Sequence, residues 1–498
     1  MRQLLLGLDI GSSSIKASIV EVATGQLLVS AQSPAEEMAM LAPQPGWAEQ
    51  DPEMWWQHLV LSVKACLKRS DAKGSEIKAI GISYQMHGLV VVDKDQQVLR
   101  PSIIWCDSRS VAIGQRAAQG LGEKYCLEHF LNSPGNFTAS KLKWVKEHEP
   151  EVFEKIHKIM LPGDYIGMRL SGDIVTTDTG LSEGIFWDYH TRSVSGKLLD
   201  YFGFEKSILP STVPVFGLQG ILRKQAAEEL GLPEGVKISY RAGDQPNNAF
   251  SLNVLKPGET AATAGTSGVI YSVTEKNAYD LQSRVNTFIH VNNSSKSPSN
   301  GVLLCINGTG ILNSWLRKNT GGKGTAFEYE QMNNLAAKVP VGSEDLLIFP
   351  FGNGAERIFE NKTMNASFQG LDFNRHSQGH VFRAAQEGIV FALKYGFEVL
   401  QGMGLKTNVI RAGNANMFLS PVFREAFVNT IGAPLELYNT DGATGAALGA
   451  GLGAGIFESR EVAFKGLKTI RVENPVDSLA TQYQAAYANW KLKLNQIL

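Results

Sequence analysis

Cysteine is scarce: four residues in 498, at positions 66, 106, 126 and 305, with no Cys-x-x-Cys pair. That excludes a disulfide framework and a zinc knuckle, and leaves isolated thiols suited to a reducing compartment. Charge is also thin, 19 % against the roughly 25 % usual for globular chains. Its two signs cancel, 47 Lys+Arg against 48 Asp+Glu. Such balance carries no footprint of a nucleic-acid or anionic-membrane partner. Long apolar runs are missing too. The N-terminal run stops at Asp9, too soon for a signal peptide. The longest uncharged stretch toward the other end, Gly442 to Phe457, is sixteen residues and rich in glycine. That is short for a bilayer. These absences predict a cytoplasmic protein with no nucleic acid and no membrane as partner.

Several motifs are absent as well. Gly322-Lys323 is followed by Gly324 instead of a hydroxyl residue, which excludes a Walker loop. No clean Gly-x-Gly-x-x-Gly follows a strand, and no His-Glu-x-x-His occurs. Gly-x-Ser-x-Gly is missing where a nucleophile elbow would need it. Dinucleotide enzymes, zinc hydrolases and serine hydrolases thereby lose most of their case. What is abundant is glycine: 50 residues, against roughly 7 % in an average chain. They cluster beside strand-like runs, where tight turns and ligand-approaching loops need them.

At about 150 residues per domain, the length predicts two large domains or three ordinary ones. Leu4 to Asp9 suits a buried strand, Gly11 to Ser14 a turn, and Ile15 to Val22 alternates at period two, so the chain opens on a β-hairpin. Asp51-Pro52 reads as a capped helix start, with Trp55, Leu59, Val63 and Cys66 at helical spacing. Ile77 to Ser83 and Leu89 to Val92 are further strands, and the alternation is that of an α/β fold. Near residue 250 the layout restarts: Glu259 to Ala264 a strand, Gly265 to Gly268 a turn, Val269 to Val273 a strand. Two lobes, 1–250 and 251–498, are expected to face one cleft. Two small-residue helices, Gly379 to Leu400 and Gly442 to about Gly455, are expected to close the second lobe.

The chemistry lies in the two glycine–hydroxyl turns. In Asp9-Ile-Gly-Ser-Ser-Ser-Ile-Lys16, Gly11 lets the backbone approach a phosphate. Ser12 and Ser13 can donate to its oxygens, and Lys16 adds positive charge. Asp9 is placed to hold a hydrated magnesium, which prefers few carboxylates. Gly265, Thr266 and Ser267 supply a second donor turn. One such turn is a plain hairpin bend; two in matching contexts point to phosphoryl transfer. Asp244, after Gly243, is either a base accepting a hydroxyl proton or a cap for the helix starting near Pro246. His87 after Gln85-Met86 reads first as a satisfied histidine, Asp107–Arg109 as a local ion pair, and Trp47, Trp55 and Trp56 as core or subunit contact.

In this order, these segments resemble the FGGY carbohydrate kinases of the actin/hexokinase ATPase superfamily, over nearly the whole chain. Gly46-Trp47-Ala48-Glu49-Gln50-Asp51-Pro52, Gln85-Met86-His87-Gly88 and Trp105-x-Asp107-x-Arg109 resemble the family's xylulokinase branch. Thr138 to Val145 resembles the first family signature, with Asn136 where Gly or an aromatic is usual. Ala366 to Leu371, His380-Val381 and Glu387-Gly388 resemble the second, with Gln386 in place of an apolar residue. The resemblance implies two actin-like (ribonuclease H-like) ATPase lobes facing a central cleft. It implies ATP and Mg2+ as cofactors, Asp244 as catalytic base, and Met86, His87 and Gln245 as sugar contacts. It also implies Gly265, Thr266 and Ser267 as the second phosphate loop, with Gly310 and Gly413-Asn414 lining the nucleotide. Gly442 to Gly449 resembles the small-residue helix beside the nucleotide lobe. The activity implied is an ATP-dependent kinase for the terminal hydroxyl of a pentulose, D-xylulose first, with ribulose or glycerol as alternatives and a nucleotide-binding scaffold as the remaining one. A homodimer is a family-level expectation. Two positions depart from the branch: Gln245-Pro246 follows the base, as in glycerol kinases, and Ala412-Gly413-Asn414-Ala415 replaces a glycine-richer loop.

Overall fold

A computed structural model of the chain describes residues 2–321 and 326–498; the Gly322-Lys323-Gly324 run lies outside those residues. The first sheet holds β1 (Leu4–Ile10), β2 (Ile15–Glu21), β3 (Leu27–Ser33), β4 (Ile77–Tyr84), β5 (Phe216–Ile221) and β6 (Lys237–Gly243), in the order β5-β6-β4-β1-β2-β3. Strands β6, β4 and β1 run parallel, and the flanking pairs are antiparallel. Period two sorts the side chains of β1. Leu4, Leu6, Leu8 and Ile10 pack with Trp55, Leu59 and Val63 of helix α1 (Pro52–Ser70). Leu5 faces the opposite layer with Ala79 and Tyr240. Asp51 caps α1 by accepting the Glu53 N–H at 2.9 Å, with Pro52 in its first turn.

The second sheet repeats the plan with β7 (Glu259–Ala264), β8 (Gly268–Thr274), β9 (Asn286–Ile289), β10 (Asn300–Ile306), β11 (Val409–Gly413), β12 (Leu435–Tyr438) and β13 (Thr469–Glu473). Their order is β9-β10-β8-β7-β11-β12-β13, again with three parallel strands, β7, β11 and β12. The expected two-lobed α/β architecture, each lobe opening on a strand–turn–strand, is present. The remaining helices that position the site are α2 (Thr138–His148), α3 (Asp178–Glu183), α4 (Asp244–Ser251), α5 (Gly310–Asn319), α6 (Tyr329–Ala336), α7 (Gln378–Gly402) and α8 (Gly442–Gly453). Among the described residues, no helix is long and apolar enough to cross a membrane.

Helix α8 corrects one expectation. It does not close the second lobe but lies against the first sheet, where Ala446, Ala447 and Ala450 share a core with Leu5, Ala79 and Tyr240. The reason is its small side chains: a Cβ on Gly7 would stand 1.8 Å from the Ala443 carbonyl, and one on Gly81 2.0 Å from that of Ala446. Glycine on the strands lets backbone meet backbone. Traffic also runs the other way: Phe288 on β9 packs into the apolar cluster of the first lobe. Asn132 brackets the Thr287 backbone there, donating to its carbonyl at 2.7 Å and accepting its N–H at 3.0 Å.

Candidate active site

Both predicted acids stand at the carboxyl end of the first sheet. Asp9 pairs with Ser83 on β4, and Ser83 with Ala242 on β6, so Asp9 and the end of β6 share one row. Two strand spacings put them about 10 Å apart. The second lobe contributes no matching carboxylate: Thr263 holds the position on β7 that Asp9 holds on β1. Ser83 Oγ donates to Asp9 Oδ1 at 2.8 Å. Burial lifts the Asp9 carboxyl above its usual range, against that bond and the Lys16 charge. Asp244 is the first helical residue of α4; Gly243 occupies the cap position, so the capping alternative does not describe it. Burial, reinforced by the Asp9 charge, pushes the Asp244 carboxyl up to about 7, while hydrogen bonds from Gln245 oppose the rise. A carboxyl poised there can accept a proton near neutrality.

Met86 and Glu183 stand beside Asp244. A Cβ on Gly243 would touch the Met86 side chain at 2.6 Å and Glu183 Oε2 at 2.5 Å, which brings the three together. His87 turns into the pocket with φ 62, the left-handed conformation histidine tolerates better than most. Lys141, the signature lysine on α2, anchors that turn by donating to the His87 carbonyl at 2.8 Å. The Nδ1 of His87 lies 3.0 Å from the Glu183 carbonyl, which can only accept. Nδ1 therefore carries the proton, which leaves Nε2 able to accept a hydrogen bond. Burial and the nearby Lys141 charge push the ring down to about 3, so it is neutral. Phe137 and Phe288 wall it at 4.9 and 5.2 Å between ring centres. Glu183, 1 % exposed, was not signalled by any motif; burial keeps its carboxyl well above the usual range.

The first turn is held from outside itself. Gln50 Nε2 donates to the Ser12 carbonyl at 2.7 Å, and Trp55 Nε1 donates to Gln50 Oε1 at 3.0 Å. Trp105 Nε1 reaches Ser12 Oγ at 3.3 Å, and the Met38 N–H binds the Ser13 carbonyl at 2.8 Å. The rest of the Trp47-to-Pro52 motif is structural. Glu49 pairs with Arg100 and Arg109, and Arg109 also grips Asp107 and lies 3.7 Å over the Trp47 ring. Trp55 and Trp56 are core. Lys16 faces Asp9 across the hairpin and lies 3.3 Å from Asp441, the cap of α8. Burial works against the Lys16 charge, yet Asp441 and Asp9 together hold its ammonium above its ordinary value.

The second turn rims a cavity of about 550 Å³, within the usual range for a small-molecule site. Gly265, Thr266 and Gly310 line it, with Asn313, Asn333, Met417 and Ser420 deeper along the wall and Glu37 reaching in from the first lobe. Gly310 and Ile311 donate their N–H groups to the carbonyls of Gly265 and Thr266, and a Cβ on Gly310 would meet the Gly265 oxygen at 2.3 Å. Gly310 thus supports the turn by lacking a side chain. Gly413 and Asn414, at the end of β11, are not among the lining residues; Asn416, Met417, Leu419 and Ser420, just beyond, are. Gln386 is no misfit on α7. Its amide donates to Asn333 at 3.1 Å and accepts from Ser420 at 2.7 Å, tying two cavity walls together.

Residues 4–251 match the N-terminal domain and residues 260–456 the C-terminal domain of the FGGY family of carbohydrate kinases. The chain belongs to that family. This FGGY kinase is 30 % identical over 465 residues to the xylulose kinase of Bacillus subtilis, covering 92 % of this chain and 89 % of that relative. Its fold is that of the xylulose kinase from Rhodospirillum rubrum, with a TM-score of 0.85 at 24 % identity over 99 % of each chain. It is equally that of the gluconate kinase from Lactobacillus acidophilus, with a TM-score of 0.88 at 23 % identity over 100 % of this chain and 98 % of that one. One fold therefore serves different acceptors, and the choice of sugar must be argued from the pocket.

Proposed function

We propose that this FGGY kinase transfers the γ-phosphate of ATP to the terminal hydroxyl of a pentulose, D-xylulose giving D-xylulose 5-phosphate. The observation that carries the reading is that Glu183 links His87 and Asp244: it accepts the His87 N–H at 3.4 Å, and with Met86 it stands against Gly243, the residue before Asp244. His87 Nε2 and the Met86 side chain orient the sugar, with Gln245 beside the base. Asp244 takes the proton of the attacking hydroxyl, the usual role of such a carboxylate in phosphoryl transfer. The turns Gly11-Ser12-Ser13 and Gly265-Thr266-Ser267 hold the phosphates, and Lys16 balances their charge. The nucleoside occupies the 550 Å³ cavity, with Gly310 beneath the second turn and Gly413-Asn414 at its margin. Asp9 fits a magnesium ion: among the described residues its carboxylate has one protein hydrogen bond, from Ser83, and magnesium takes few carboxylates plus water and phosphate oxygens. Magnesium would supply charge neutralisation for the triphosphate.

A panel of D-xylulose, D-ribulose, glycerol and gluconate with coupled detection of ADP tests the assignment. D-xylulose is expected to lead in kcat/KM by about 10–200-fold. Equal rates on glycerol, which Gln245 after the base would favour, overturn the pentulose reading. A second measurement addresses the first phosphate turn. Gln50→Ala leaves the Ser12 carbonyl without its partner, a loss of about 1–3 kcal/mol. Near the lower bound of that range, KM for ATP should rise about tenfold while sugar KM changes little.

A further inference from the structure

The second lobe brings a cation, Arg357, to the aromatic wall beside His87. Arg357 opens the short turn Arg357–Phe359, and its guanidinium lies 5.6 Å from the centre of the Phe137 ring, across the cleft. Phe137 in turn walls His87. The Arg357 charge is felt at His87 and at Cys305, a thiol that also neighbours Ser267 of the second turn and senses Asp244. Arg357 thus lies among the sugar reader, the base and a phosphate turn.

Among the described residues, no carboxylate pairs with it. The adjacent Glu356 is turned away and accepts the N–H groups of Asn307 and Gly308 at 3.0–3.2 Å. Burial disfavours the Arg357 charge, and only Cys305 opposes that. Three buried arginines, Arg241, Arg383 and Arg424, by contrast each have a carboxylate within 3.0 Å. A partly desolvated guanidinium without an anion calls for one to arrive. A ketose brings only neutral hydroxyls. A phosphoryl group brings charge and paired oxygens that match the guanidinium fork.

We propose that Arg357 is the acceptor-side phosphoryl ligand, gripping the group as it passes to the sugar and then holding the sugar phosphate formed. This rests on the kinase reading above. In the transfer, the bond from the γ-phosphorus to the ADP oxygen breaks as the bond to the sugar oxygen forms. The hydroxyl proton goes to Asp244; Arg357 donates hydrogen bonds and exchanges no proton.

The test uses the full chain with Arg357→Met and Arg357→Lys, on whichever sugar of the panel the wild type phosphorylates. Arg357→Met should lower kcat by about 10²–10³-fold with sugar KM within about threefold. It should weaken binding of the sugar phosphate, measured by calorimetry without nucleotide, about tenfold or more. Arg357→Lys should restore part of both, since it returns the charge without the fork. A rise in sugar KM at unchanged kcat would mean that Arg357 reads hydroxyls, and unchanged product affinity would remove it from the phosphate path; either overturns the proposal. Nucleotide binding by the same variants, retained, shows that they are folded; should Arg357→Met fail this check, Arg357→Lys alone decides by product affinity. A wild type that releases ADP with no sugar sinks the parent reading instead.

Discussion

Asp244→Asn should lower kcat by about 10²–10⁴-fold, the range a positioned base supplies, with nucleotide affinity preserved. Normal turnover in this variant would remove Asp244 from the chemistry. The wild-type rate should rise with pH through about 7, because the carboxyl must be ionised to accept a proton and burial with the Asp9 charge holds it there. Stability should move the opposite way. The unfolded carboxyl titrates near ~4, so between that pH and about 7 the folded chain binds more protons and loses stability as pH rises. Asp244→Asn removes this penalty. Its thermal midpoint should exceed the wild type's at pH 8, with the gap closing toward pH 4.

Gly81→Ala should destabilise the protein by about 3 kcal/mol, the upper part of the usual overpacking range. Its new methyl would stand 2.0 Å from the Ala446 carbonyl oxygen and 2.8 Å from its carbon, atoms of a helix backbone that cannot swing aside like a side chain. Gly81 has no left-handed φ, so the demand is for space alone. Denaturant melts of the variant and of an Ala→Gly control on the exposed surface separate close packing from propensity. Displacement of α8 would also move Asp441 away from Lys16, so KM for ATP should rise in whatever fraction stays folded. An unchanged midpoint would mean that the strand and helix are not in contact.

Much of the scaffold is legible in the chain because its signals are local. The β1–β2 hairpin announces itself by two largely apolar runs, both almost wholly buried, on either side of a Gly-Ser turn, and the start of α1 by Asp51-Pro52, which caps as expected. Asp9, Asp244, Met86 and His87 could be picked out because each stands at or just past the end of a buried strand. The address of α8 could not. It is apolar or small on nearly every side, so no polar face says which sheet it covers. Gln50 braces the Gly11–Ser14 turn through a hydrogen bond to a residue 38 positions away, and such a bond leaves no periodicity. Glu183 and Arg357 are single charges in unremarkable surroundings, and only tertiary placement brings them to the pocket. Asp107–Arg109 is the reverse: its plain reading as an ion pair was adequate, and the structure adds the tryptophan beneath it.

Because α8 spans residues 442–453 yet covers the layer formed by Leu5, Ala79 and Tyr240, the first lobe is finished by a segment that the ribosome makes only after most of the second. At translation speeds of about 5–20 residues per second, roughly 200 residues intervene between β6 and that helix, so an oily sheet surface stays bare for some ten seconds or more. Severing the chain between its lobes would strip the first sheet of the α8 wall and the Phe288 side chain of the cluster it packs in.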